Sequence, residues 1–146
     1  KIMIENKIPT VPGLNDLTDS NKIKEFINEF GLPVIIKAAS GGGGKGMRIV
    51  HDINELENSI NAAKLESKKS FNDDTIYIEK FIKNPKHIEI QILADQHGNV
   101  LTLGERDCSI QRNHQKLIEE SPSTILNENQ RSEISEICKK HHMKNE

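Results

Sequence analysis

Apolar residues recur along this chain with two periods, and those periods mark out its elements. In "SNKIKEFINEFG", Ile23, Phe26, Ile27 and Phe30 fall at helical spacing, with Ser20 as the expected N-cap and Gly31 as the expected stop. Residues 33–38 form a short apolar run, β-branched at Val34, Ile35 and Ile36, and read as a strand; residues 47–50 read as the strand that returns. Asp52 is expected to open a second helix, with Glu55 at capping-box spacing and Leu56, Ile60 and Ala63 as its apolar face. That helix is expected to give way to a polar turn region at "ESKKSFNDD". From 75 to 82 the pattern alternates, Ile76 and Ile78 on one side and Tyr77, Glu79 and Phe81 on the other. From 86 to 93 it alternates again, with Ile88, Ile90 and Ile92 toward a core and His87, Glu89 and Gln91 on the opposite face. "DQHGN" reads as a hairpin turn with 100–103 pairing back, and a last helix begins near Asn127 with Ile134 and Ile137 on its buried side. This order of elements predicts an α+β fold with antiparallel pairing rather than a doubly wound parallel sheet.

Composition narrows the function. The chain has 146 residues, enough for one ordinary domain or two small lobes. A net charge of −2 with 3% aromatic residues and no Trp argues against nucleic acid as a partner. No apolar stretch approaches the roughly 20 residues of a membrane helix. Cys108 and Cys138 make neither a disulfide framework nor a metal spacing, so a reducing compartment is expected. The chain begins at Lys1 rather than Met, so further sequence is expected upstream.

Four consecutive glycines, Gly41, Gly42, Gly43 and Gly44, precede Lys45 and Gly46 between two apolar runs. A dinucleotide fingerprint needs a helix after the loop, and here a strand follows; a phosphate loop of the G-K-[ST] kind needs Lys and then Ser or Thr after its last glycine, and Gly46 is followed by Met47 and Arg48. A strand–glycine loop–strand hairpin remains, of the kind that covers ATP phosphates in protein kinases. Its bare backbone N–H groups approach phosphate oxygens closely, and Lys45 adds positive charge. The competing reading is a plain flexible linker. Lys37 ends the strand before the loop and needs an anionic partner, such as a nucleotide phosphate, unless it snorkels to water. "IYIEKFI" is either a half-buried strand or a hinge whose free edge backbone hydrogen-bonds adenine. In "CSIQRNHQK", Arg112, His114 and Lys116 share a face if the segment is extended, which makes either an anion site or a solvated edge strand. The histidines are too scattered for a zinc site, and no metal ligands are assigned.

The stretches "PTVPG", "GLPVIIKAASGGGGKGMRIV", "IYIEKFIKNPKHIEIQILAD" and "GERDCSIQRNHQKLIEESPS" together resemble the ATP-grasp domain of the biotin carboxylases. That module is shared by acetyl-CoA, propionyl-CoA, methylcrotonyl-CoA and pyruvate carboxylases. The resemblance implies that residues 1–10 end an N-terminal domain, 11–82 form the ATP-grasp lid, and 83–146 begin the C-terminal lobe. It implies ATP-phosphate contacts from Lys37 and the loop residues Gly41, Gly42, Gly43, Gly44, Lys45 and Gly46. Glu79, Lys80, Phe81 and Ile82 become the adenine hinge, and His87, Gln111 and His114 become nucleotide contacts. Lys116 becomes the catalytic lysine that holds bicarbonate. In that family bicarbonate attacks the γ-phosphate of ATP, and the resulting carboxyphosphate yields the CO₂ that carboxylates biotin. The implied cofactors and partners are ATP with Mg²⁺ or Mn²⁺, bicarbonate, biotin on a carrier protein or domain, a carboxyltransferase component and a second subunit of a homodimer. The implied compartment is the cytoplasm, or a mitochondrion or plastid in a eukaryote.

The sequence stops before the glutamates that hold magnesium in that family and before the arginine and glutamate that act on bicarbonate and biotin. By itself it is therefore expected to be inactive. Two other readings stand beside the carboxylase: another ATP-grasp ligase resembling carbamoyl-phosphate synthetase, and a non-catalytic fold fragment.

Overall fold

A computed structural model of the chain describes residues 2–41 and 44–142. The chain divides into two compact units, Val11–Lys83 and the combination of Lys1–Thr10 with Asn84–Glu146.

In the first unit, two helices cover one face of a four-stranded antiparallel sheet. The strands are β1 (Gly13–Leu14), β2 (Val34–Ala38), β3 (Arg48–Val50) and β4 (Ile76–Lys80), in the order β1-β4-β2-β3. The helices are α2 (Ser20–Phe30) and α3 (Leu56–Phe71); a short helix, α1 (Ile2–Glu5), precedes them in the chain. Val34, Ile36 and Ile78 are fully buried and pack with Val50, Ile76, the α2 residues Ile23, Phe26 and Ile27, and the α3 residues Leu56, Ile60 and Ala63. This one apolar cluster supplies most of the unit's folding free energy, at about 25 cal/mol per Å² of apolar surface removed from water.

The helix ends differ from expectation in instructive ways. Asp19, not Ser20, caps α2, its carboxylate accepting from the N–H groups of Asn21 and Lys22. Where two polar residues adjoin at a helix start, the one left in extended backbone becomes the cap. Gly31, at φ +69°, ends the helix as expected. Asp52 opens a single 3₁₀ turn, Ile53–Glu55, and α3 follows from Leu56. The helix then runs through "ESKKSF" to Phe71, because Ser67 is buried on it and donates to the Asp73 carbonyl, and left-handed Asn72 stops it.

The second unit holds a three-stranded antiparallel sheet of β5 (Ile88–Ala94), β6 (Val100–Arg112) and β7 (Gln115–Glu120), with helix α4 (Glu128–His142) on one face. Asn127 and Gln130 cap the start of α4 reciprocally. Ile88, Ile90 and Ile92 are only half-buried, and the enclosed groups include polar ones. Glu105 is 4% exposed and accepts from Arg131 of α4 and from the N–H of Ser123. Across the bulge between Ile90 and Ile92, β6 carries one extra residue, and Gly104 sits there at φ +92°, a value that only glycine adopts without strain. On the face away from α4, Leu93 and Leu101 pair across strands and stay exposed, as does Leu103.

Replacing Ile36 by Ala should cost about 2–5 kcal/mol and Ile36 by Val about 0.5–1.5 kcal/mol, because each leaves a cavity under both helices. Urea denaturation of the two variants measures the difference directly.

Candidate nucleotide and anion site

Lys37 stands on the uncovered face of the first unit's sheet. Its register partner is Tyr77, while Ile35 pairs with Glu79, so Lys37 and Glu79 are diagonal neighbours on that face. Their ion pair, at 2.5 Å, supplies the anionic partner that a lysine within an apolar strand requires. Neither side chain is fully enclosed, with 30% and 24% of their surfaces exposed, so the ammonium stays in contact with solvent.

The glycine loop leaves β2 just beyond Lys37. Gly41 donates its N–H to the Ala38 carbonyl. Gly46 is buried at φ +72°, and a Cβ there would lie 3.0 Å from the Ala38 methyl, so both conformation and space demand glycine. The Gly46 N–H and the Arg48 guanidinium both bond the Glu66 carboxylate on α3. At the other end, Ser40 donates to Asp73, which also accepts from the Thr75 N–H. Neither Glu66 nor Asp73 was legible as a loop anchor, because their partners lie 18, 20 and 33 residues away in the sequence. Lys45 is exposed; Gly42 and Gly43 lie outside the described residues.

The hinge is not on an edge strand. β1 pairs with β4 through Gly13 and Leu14, and the N–H groups of Lys80 and Phe81 bond the carbonyls of Pro12 and Pro33. A two-residue strand carries no sequence signal, which is why the edge looked free. Lys80 points to the helix side, its ammonium on the carbonyls of Gly31 and Leu32 at the end of α2. Ile82 lies beyond the strand and is half-exposed.

The second unit gathers the remaining candidates, His87, Gln111, His114 and Lys116. "CSIQRNHQK" is a tight hairpin, not an extended strand. Asn113 and His114 both have positive φ, 51° and 61°, as a two-residue turn between paired strands requires. Arg112 therefore pairs with Gln115, and Lys116 pairs with Gln111. Arg112, His114 and Lys116 do not share a face. The Gln111 amide donates to the Cys108 carbonyl and to His87 Nδ1, which leaves the imidazole proton on Nε2, 3.6 Å from Glu89.

Glu89 sits under two cations, Lys116 on one carboxylate oxygen and Arg106 on the other. The Lys116 hydrogen bond holds the Glu89 carboxyl below its ordinary range, and Glu89 in turn raises Lys116, so the ammonium stays charged. Arg106 was missed by sequence reasoning, which weighed the strand face of His87, Glu89 and Gln91 and the cations Arg112, His114 and Lys116. Glu89, Cys108 and Glu119 are close enough together to suggest a metal site. They do not fit a hard divalent cation. Arg106 and Lys116 already neutralise both carboxylates, and burial pushes the Cys108 thiol up, toward its protonated form.

A four-stranded antiparallel sheet with a glycine hairpin, and a second sheet that carries a cluster of cations, fit an ATP-grasp domain. Residues 1–144 match the family model described as "Carbamoyl-phosphate synthase L chain, ATP binding domain", and the chain belongs to that family. It is 50% identical over 133 residues to the biotin carboxylase of Allochromatium vinosum, covering 90% of this chain and 30% of that protein. It is 49% identical over 136 residues to the pyruvate carboxylase of Staphylococcus aureus, covering 92% of this chain and 12% of that one. Among solved structures it resembles the biotin carboxylase of Campylobacter jejuni in complex with β,γ-ATP, at TM-score 0.89 and 45% identity, over 97% of this chain and 32% of that one. It is equally similar, at TM-score 0.89 and 44% identity, to the biotin carboxylase domain dimer of Hydrogenobacter thermophilus 2-oxoglutarate carboxylase with MgADP, ADP and bicarbonate, over 97% of this chain and 32% of that one. The chain thus spans 30% of the length of the first of these carboxylases.

Asp73 yields a pH test. The Ser40 hydroxyl, then Thr75, lower its carboxyl from 3.8 to about 2. A depressed folded value favours the ionised native form, so this contribution is full above about 3.8 and is lost as pH falls toward 2. Carboxyl NMR titration should place Asp73 near 2 in the native chain and return it toward the ordinary range in Ser40→Ala. A normal midpoint in the native chain would refute the anchor.

Proposed function

We propose that this chain is the ATP-binding portion of a biotin carboxylase, an ATP-dependent ligase that carboxylates biotin on a carrier protein or domain. The observation that carries this reading is the Lys37 ammonium on the open sheet face, at the mouth of the glycine loop. There it meets a triphosphate as the loop N–H groups and Lys45 meet the other phosphate oxygens. Phe81 and Ile82 follow the strand and take the adenine. Glu79 orients Lys37 and approaches the same nucleotide, and Lys80 braces the end of α2 behind the hinge. In the second unit, His87, held in one tautomer by Gln111, and His114 at the hairpin tip are nucleotide contacts in this reading.

Lys116 holds bicarbonate. Its charged ammonium offers three N–H donors, and Glu89 takes one of them. Attack of bicarbonate on the γ-phosphate brings two anions together, and fixed cations lower that barrier. Magnesium, where bound with the nucleotide, neutralises phosphate charge; the cluster at Glu89 is not its holder. The intact enzyme is a homodimer in the cytoplasm or an organelle. It works with a carboxyltransferase component, as in acetyl-CoA carboxylase and fatty acid biosynthesis or in a related acyl-CoA carboxylase. Among the described residues no helix is long and apolar enough to cross a membrane. The carbamoyl-phosphate synthetase reading shares the family name, but identities near one half to carboxylases favour the carboxylase.

Calorimetric titration of magnesium ATP into the folded chain and into the longer carboxylase tests the nucleotide assignment. Lys37→Ala should weaken binding by about 1.5–3 kcal/mol, the scale of a charged hydrogen bond. Unchanged affinity in a folded variant counts against the role. Lys116→Ala in the longer carboxylase should leave ATP affinity nearly intact and abolish bicarbonate-dependent ATP cleavage; retained bicarbonate dependence would overturn it.

A further inference from the structure

Arg106 and Glu119 have no part in the chemistry above, yet they close a ring of charge around Lys116. Glu89 binds Arg106 Nη2 through one oxygen and Lys116 Nζ through the other. Glu119 binds Arg106 Nη1 at 3.1 Å and lies 3.8 Å from Lys116 Nζ. Arg106 Nη2 also reaches the Gln91 side-chain oxygen at 3.3 Å. Cations and carboxylates therefore alternate around a closed circuit of two positive and two negative groups.

We propose that Arg106 is a positioning residue for Lys116, holding both carboxylates so that the ammonium keeps its capacity for an anionic substrate. The inference rests on the bicarbonate reading of Lys116. Two features of the ring support it. The contacts are shared unequally: Arg106 makes a close contact to each carboxylate, whereas Lys116 is hydrogen-bonded only to Glu89 and stands off from Glu119. The guanidinium is also the right group for the task, because its planar fork presents separate N–H donors to two carboxylates at once, which an ammonium on a flexible stem does not. With Arg106 present the circuit is neutral, and Lys116, with 36% of its side chain exposed, keeps N–H donors that Glu89 does not take. Without it, Glu89 and Glu119 together place two negative charges on one ammonium. Lys116 is then drawn between them, and the local field turns against an incoming anion. The neutral ring thus tunes anion capture without touching the nucleotide.

The test is steady-state ATP cleavage by the longer carboxylase, with bicarbonate and ATP varied separately. Arg106→Met should raise the bicarbonate KM by about tenfold or more and leave the ATP KM within about twofold, a split that loss of general bracing does not produce. Adding Glu119→Gln to Arg106→Met restores a balanced pair of one cation and one carboxylate, and should recover most of the bicarbonate KM. Arg106→Lys, the milder substitution, should fall between the native protein and Arg106→Met. An unchanged bicarbonate KM in Arg106→Met or Arg106→Lys overturns the proposal. So does a double variant no better than the single one, or a parallel loss of both KM values. Lys116→Met separates the two readings. If it leaves the bicarbonate KM unchanged, the assignment of Lys116 itself falls; if it impairs bicarbonate use while Arg106→Met does not, only the role of Arg106 falls.

Discussion

Alternation along β2 and β4 is the constraint on which the first unit depends. Side chains in a strand point to opposite faces in turn, so packing Val34, Ile36 and Ile78 beneath α2 and α3 obliges Lys37, Tyr77 and Glu79 to stand on the other side. A slip of one residue would bury the lysine and expose the isoleucines, an exchange the core forbids. The apolar cluster therefore does more than stabilise. It fixes which face carries the charge and where the strand releases the chain into the glycine loop. Ala38, the last residue of β2, belongs to the packed face, and its methyl group sets how closely Gly46 must approach.

The second unit is organised by charge to a greater degree. Glu105 and Arg131 join β6 to α4 in a half-enclosed setting, where breaking the pair would leave an uncompensated carboxylate. One residue further along the strand, Arg106 points to the opposite face and enters the ring with Glu89, Glu119 and Lys116. Adjacent residues of one strand thus serve a helix contact on one side and the charge ring on the other. The exposed Leu93 and Leu101 lie on the strands that carry this second face.

Much of this could be read from the chain, and the remainder fails for definite reasons. Helical spacing at Ile23, Phe26 and Ile27 and alternation at Ile76 and Ile78 reveal elements because each signal is contained within its own element. The choice between Asp19 and Ser20 as cap depends on backbone dihedrals that both residues tolerate. The turn at Asn113 and His114 was hidden because only asparagine hints at positive φ, and histidine next to it reads as strand polarity. β1 is too short to show any period, so the occupied edge of β4 was invisible. Glu66, Asp73 and Arg106 take their meaning from partners on other elements. The lysines were legible as anion-binding candidates, but the carboxylates that orient them were not.

Those carboxylates bear on how the proposed nucleotide capture operates. Ser40 is tied to Asp73 before the loop, and Gly46 and Arg48 are tied to Glu66 after it. A glycine-rich segment is costly to order because each glycine has so much backbone freedom to lose. Anchoring both flanks through α3 and the start of β4 confines that loss to the residues between the anchors, so a phosphate need not organise the whole hairpin. Lys37 is likewise held by Glu79 before any ligand arrives. In the proposed site a phosphate meets an ammonium already in place and competes for it with one neighbouring carboxylate. The same geometry recurs at Lys116, where the Glu89 carboxylate holds an ammonium and a second cation, Arg106, shares that carboxylate.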